Sequence, residues 1–126
     1  MRWEDIQVQL RCVIVDDDER FLDVARTSLE RDGVIVAGVT DSRAAAVQLV
    51  TALRPDVVLA DIRLGTESGF DVARDLAANG HAGPIIMISS YAEADYADMI
   101  AEAPVVGFLP KTELSAAAIS RVLRTV

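Results

Sequence analysis

A five-stranded, doubly wound α/β domain is the fold this chain predicts, and three observations carry the prediction. Short β-branched runs alternate about five times with longer stretches of helical periodicity. The runs are apolar almost throughout instead of alternating, as in parallel strands buried on both faces. Glycine, proline and asparagine punctuate the junctions.

The first run, Cys12 to Val15, ends in Asp16-Asp17. Phe21, Ala25 and Leu29 then recur at four-residue spacing, the apolar stripe of a helix that Asp32-Gly33 closes. Val34 to Val39 is the second strand. Ala46, Leu49, Val50 and Leu53 line the second helix, which stops at Arg54-Pro55. Val57 to Ala60, the third strand, leads into Asp61. Ser68 followed by Asp71 reads as a capping box for a third helix carrying Phe70, Ala73 and Leu76. After the loop Asn79 to Pro84 comes a fourth strand, Ile85 to Ile88, with Ser89 at its end. A fourth helix spans Ala92 to Glu102, with Glu93, Asp95, Asp98 and Glu102 on or near one side. The fifth strand, Val105 to Leu109, leads to Lys111, and Ala116, Ala117, Ala118 and Ile119 make the last helix small-sided and apolar.

The chain has 126 residues, 52% of them hydrophobic, enough for one core that buries about two thirds of the unfolded surface. Twelve basic residues against 20 acidic give a net charge of −8. That balance disfavours nucleic acid and anionic membrane and leaves proteins, cations and small phosphorylated compounds as partners. The single cysteine, Cys12, heads an apolar strand and reads as a buried thiol. The opening residues are acidic where a signal peptide would be basic and then apolar, and no apolar stretch reaches about 18 residues. An unexported, cytoplasmic protein is expected, with residues 1–10 as an N-terminal extension and 11–126 as the domain. The lone His81, in a Gly-rich loop, is expected at the surface.

Asp61 is the most telling residue. Ligands of open α/β sheets bind outside the carboxyl ends of the strands, and Asp16, Asp17, Asp61 and Ser89 all stand at such ends. Three anions about 4 Å apart repel by about 4 kcal/mol per pair at an effective dielectric of 20, so the cluster calls for a cation or a raised pKa. Hard oxygen ligands without histidine favour Mg²⁺, Mn²⁺ or Ca²⁺ over zinc. A carboxylate is also a nucleophile toward phosphorus, and Mg²⁺ with Lys111 would neutralise oxygen charge during the transfer. The Ser89 hydroxyl can donate to a phosphoryl oxygen once one is attached.

These residues resemble the receiver domain of the two-component response regulators. The matching pieces are Val13-Ile14-Val15-Asp16-Asp17, the strand from Asp56 to Asp61 with Ile62-Arg63-Leu64 after it, Pro84 to Ser90, and Gly107-Phe108-Leu109-Pro110-Lys111. Four motifs in this order at these spacings are specific. The resemblance implies a flavodoxin-like sheet of order 2-1-3-4-5 flanked by five helices. It makes Asp61 the phosphoacceptor, with Lys111 and Ser89 assisting. It gives Mg²⁺ to Asp17 and Asp61, with Asp16 assisting and the Arg63 backbone carbonyl as a further ligand. Phe108 takes the place of an aromatic whose rotamer follows Ser89. A sensor histidine kinase or phosphotransfer protein would be the donor, and the face of the fourth helix, fifth strand and fifth helix would act on a protein target or a second copy. Such a chain is a phosphoprotein, not an enzyme, beyond self-phosphorylation from small donors and self-dephosphorylation.

Two departures from the family pattern matter. Gly65 replaces a common proline, which would loosen Gly65 to Gly69. Thr112 replaces a proline after the lysine. Lys111-Thr112-Glu113-Leu114 resembles regulators carrying a helix-turn-helix output domain, so a stand-alone receiver and one piece of a longer protein both remain open. Arg63 and Tyr91 stand where residues set the phosphoryl lifetime, and hindered water access with slow self-dephosphorylation is expected. Two competing functions are a phosphorylation-independent docking module and a small aspartate-dependent phosphatase. The second would need Thr or Ser where Arg20 stands, and a cap insertion. A Rossmann nucleotide site would need a G-x-G-x-x-G after a strand.

Overall fold

The computed structural model describes residues 9–125, so the expected N-terminal extension lies almost wholly outside the described residues. The main sheet consists of β1 (Arg11–Val15), β2 (Ile35–Thr40), β3 (Val57–Asp61), β6 (Ile85–Ser89) and β7 (Gly107–Pro110), all parallel, in the order β2-β1-β3-β6-β7. Counting only these five strands, this is the predicted order 2-1-3-4-5. A two-residue hairpin, β4 (Arg63–Leu64) with β5 (Glu67–Ser68), intervenes after β3. The segment expected to be loose is thus partly paired, and Gly65 at φ +60° supplies the positive φ that a two-residue hairpin loop demands.

The helices are α1 (Glu19–Arg31), α2 (Arg43–Leu53), α3 (Gly69–Ala78), α4 (Ala97–Glu102) and α5 (Ala116–Leu123). Asp18, Ser42, Ser68 and Ser115 cap α1, α2, α3 and α5 by accepting first-turn backbone N–H groups. The capping box at α3 is only half made. Ser68 accepts from Phe70 N, but Asp71 turns to Arg74 and Arg43 instead. The fourth helix is shorter than predicted, because Glu93–Tyr96 forms a separate 3-10 turn and only the next six residues are α-helical. No helix among the described residues is long and apolar enough to cross a membrane.

Two apolar clusters sandwich the sheet, one with Val13, Val58, Phe70 and Met87, the other with Ile14, Leu29, Leu59 and Ile119. The central strands β3 and β6 are buried at every position. β2 is not: it is one of the two edge strands, and Ile35 and Val39 reach solvent despite the apolar run. Cys12 is fully buried, and burial pushes its thiol up to about 12, so it is inert at neutral pH. His81 departs from expectation. It is half-buried, its Nε2 is shielded without a hydrogen-bond partner, and burial lowers its pKa.

Candidate functional site

The parallel pairing aligns the carboxyl ends of β1 and β3, because Val15 faces Ala60 and each strand's next residue is a buried aspartate. Asp16 is anchored where it leaves β1: its N–H donates to Thr40 O at 2.9 Å, and its Oδ1 accepts from Asp18 N at 2.9 Å. Asp17, beside it, is exposed. One ligand oxygen from each of Asp16, Asp17 and Asp61 lies within 4.8 Å of the others.

The start of α3 holds Asp61 in place from below. Gly69 N donates to Ile62 O at 2.9 Å, and a Cβ on Gly69 would run into the Asp61 carbonyl and come within 2.9 Å of Met87 Cε. Only glycine permits this approach of helix to strand.

Lys111 arrives from the end of β7. Its Nζ donates to Asp61 Oδ2 at 3.1 Å and lies 2.7 Å from Asp16 Oδ2. The side chains are almost wholly buried: 9% of Lys111 and none of Asp16 reaches solvent. Burial alone would lower the lysine's pKa, but Asp16 and Asp61 outweigh it and hold the ammonium charged. Asp61 moves the other way. Burial first, and then the Asp16 charge, push it up to about 6 against the pull of Lys111.

Two anions and one cation in a dry pocket leave one negative charge over. Asp16 Oδ2 is fully buried and has the Lys111 ammonium at 2.7 Å, but it shares that single charge with Asp61 Oδ2 at 3.1 Å. Three converging carboxylates with one shared ammonium between them are a donor set that fits a hard divalent cation such as Mg²⁺.

Ser89 ends β6, one residue beyond Ile88, the sheet partner of Asp61. It is buried, and its Oγ accepts from Tyr91 N at 2.9 Å, with no hydrogen bond to Asp61. The structure therefore gathers Asp16, Asp17, Asp61 and Lys111 directly and sets Ser89 at the same edge with its own O–H uncommitted. Phe108 is buried and packs inward on β7 opposite Met87.

Arg63 forms the rim. Its N–H lies 3.4 Å from Asp61 Oδ1, its guanidinium stacks 4.2 Å over the Tyr91 ring, and its Nε donates to Tyr96 OH at 3.2 Å. Nothing in the sequence points to Tyr96 here, because no periodicity ties a residue of the 3-10 turn to the loop after β3. Phe21 belongs to the apolar stripe of α1, and its ring centroid also lies 4.5 Å from Lys111 Nζ. A cavity of about 720 Å³ lies elsewhere, at the amino ends of β3, β6 and β7, and is lined mainly by apolar groups such as Leu10, Pro84 and Val106.

The comparisons with known proteins agree with the fold. A family model described as response regulator receiver domain matches residues 12–123. The DNA-binding transcriptional activator EvgA of Escherichia coli (strain K12) is 27% identical over 104 residues, 82% of this chain and 51% of EvgA. Among solved structures, the signal receiver domain of the putative response regulator NarL from Mycobacterium tuberculosis superposes with a TM-score of 0.81 at 28% identity, covering 94% of this chain and 97% of that one. The signal receiver domain of a modulated diguanylate cyclase from Desulfovibrio desulfuricans G20 gives 0.78 at 32%, covering 94% and 93%. The chain thus spans about half the length of its curated relative EvgA.

Proposed function

The chain belongs to the response regulator receiver domain family, and from that premise we propose that it is a phosphorylation-dependent signalling switch with Asp61 as the phosphoacceptor. The observation that carries the reading is the pairing of a buried, incompletely neutralised Asp61 with Lys111 at 3.1 Å, inside a triad of carboxylates. An Asp61 oxygen attacks phosphorus, the bond from phosphorus to the donor's nitrogen or oxygen breaks, and the leaving group departs with that electron pair. Lys111, already charged and close, faces the charge that gathers on the phosphoryl oxygens. Asp16, Asp17 and Asp61, with the Arg63 carbonyl, would hold Mg²⁺, whose chemistry is to neutralise those same oxygens.

Ser89 supplies the readout. Its Oγ already accepts from Tyr91 N, so its proton is available to a phosphoryl oxygen, and such a bond would draw the start of the β6–α4 segment inward. Phe108 on neighbouring β7 would repack with it, carrying the change to the face of α4, β7 and α5, where a protein target or a second copy would bind. The donor is a sensor histidine kinase or phosphotransfer protein of the cytoplasm. The chain's own chemistry is confined to self-phosphorylation and self-dephosphorylation. Its net charge of −8 disfavours direct contact of this chain with nucleic acid.

Intact-protein mass after incubation with acetyl phosphate and Mg²⁺ tests the reading. One phosphoryl adduct is expected, dependent on Mg²⁺ and absent from Asp61→Asn and Asp17→Ala. No adduct on the folded, metal-supplied unaltered chain would overturn it in favour of a phosphorylation-independent docking module.

A further inference from the structure

We propose that Phe21 is a positioning residue for Lys111: its ring face holds the ammonium, shed of water, against Asp61. The inference rests on the proposed phosphoacceptor role for its kinetic consequence, though not for its geometry.

Lysine is a poor candidate for a fixed catalytic cation. Its four-carbon stem is flexible and its ammonium is strongly hydrated, so left alone it would spend its time in water. Here the side chain is almost wholly buried, and its ammonium has two carboxylate neighbours, Asp16 Oδ2 at 2.7 Å and Asp61 Oδ2 at 3.1 Å. The third neighbour is neutral. Phe21, in the first turn of α1, presents its ring with the ammonium 4.5 Å from the centroid, inside the distance at which a ring quadrupole attracts a cation. Phe21 is itself half-buried and rests on the cluster beneath α1, so the ring is braced from behind.

Two consequences follow from this placement. A neutral ring supplies attraction without adding a negative charge, which a third carboxylate would do at the cost of raising Asp61 still further. It also covers ammonium surface that water would otherwise occupy, so the lysine has less solvent to shed when charge develops on a phosphoryl oxygen. Leucine at this position would keep the apolar bulk and lose the quadrupole. Tyrosine would keep both.

The test compares Phe21→Leu and Phe21→Tyr with the unaltered chain, each checked for folding by thermal melt. Adduct formation is followed against acetyl phosphate concentration with Mg²⁺ present, together with the NMR resonances of the Lys111 ε-methylene protons, which a ring face at this distance shifts upfield. The expected result is a maximal rate about three- to thirty-fold lower in Phe21→Leu, with the half-saturating donor concentration unchanged. The upfield shift should be lost in the same variant, and Phe21→Tyr should restore both. An unchanged rate in Phe21→Leu, or a loss that Phe21→Tyr fails to restore, overturns the proposal. If the unaltered chain takes no phosphoryl group, the phosphoacceptor reading fails, and the resonances decide the positioning by themselves: an upfield shift that Phe21→Leu abolishes supports it, and no such shift overturns it.

Discussion

Asp61→Asn should make the metal-free protein more stable at neutral pH, which is the reverse of what removing a buried charged partner usually does. In the folded state Asp61 is pushed up to about 6, against 3.8 for an ordinary aspartate in water. The ionised form is therefore the one that folding disfavours. Below the unfolded value the carboxyl is protonated in both states and costs nothing. As pH rises through the folded value the penalty reaches its full size, about 2 pKa units at 1.36 kcal/mol each, or about 3 kcal/mol. Allowing for screening at the mouth of the site, a gain of about 2 kcal/mol is expected in the variant at about pH 7.5, which for a domain this size raises Tm by about 8 °C. Lys111 is not stranded, because Asp16 Oδ2 remains 2.7 Å away. Thermal melts in chelator-containing buffer measure the difference, which should shrink to about a third near pH 4.5 by the same linkage. Adding Mg²⁺ should then narrow the gap by stabilising the unaltered chain selectively. No stabilisation at about pH 7.5, or one equally large at about pH 4.5, would refute the reasoning that burial and Asp16 together destabilise the Asp61 anion.

Lys111→Gln acts in the opposite direction: it leaves two buried carboxylates facing each other and should cost about 3 kcal/mol at about pH 8, less near pH 5 where Asp61 takes up a proton, as read from urea midpoints at the two pH values. Gly69→Ala forces a methyl group against the Asp61 backbone carbonyl and Met87, which backbone can relieve only by moving α3; a loss of about 2–3 kcal/mol in chemical denaturation is expected, together with slower adduct formation. Arg63→Ala removes exposed contacts to Tyr91 and Tyr96, so stability should change by less than about 1 kcal/mol. The phosphorylated form should nonetheless lose phosphate faster, measured as the decay of the adduct mass after donor removal; an unchanged decay would count against the shielding role of the rim.

The order of strands and helices follows from local pattern, because a strand buried on both faces must be apolar at nearly every position and a covering helix must be apolar every third or fourth. That is why the ends of β1, β3 and β6, and with them Asp16, Asp17, Asp61 and Ser89, could be read along the chain. The same logic misjudged β2, whose apolar run is indistinguishable from a central strand's until the sheet order leaves it at the edge with Ile35 and Val39 exposed. It also saw Asp71 as a partner for Ser68, since a capping box is a local pattern, whereas Arg43 and Arg74 compete for that carboxylate, Arg43 across the packing of α2 on α3. Sequence by itself determined which groups stand at the sheet's carboxyl edge and that their charge needs compensation. Only the tertiary structure decided how that charge is met, with Lys111 between Asp16 and Asp61, the Phe21 ring against the ammonium, and Arg63 tied to Tyr91 and Tyr96 at the rim. The physical reason is that these contacts join residues far apart in the chain, through side-chain directions set by strand register and helix placement and by no periodicity within either segment.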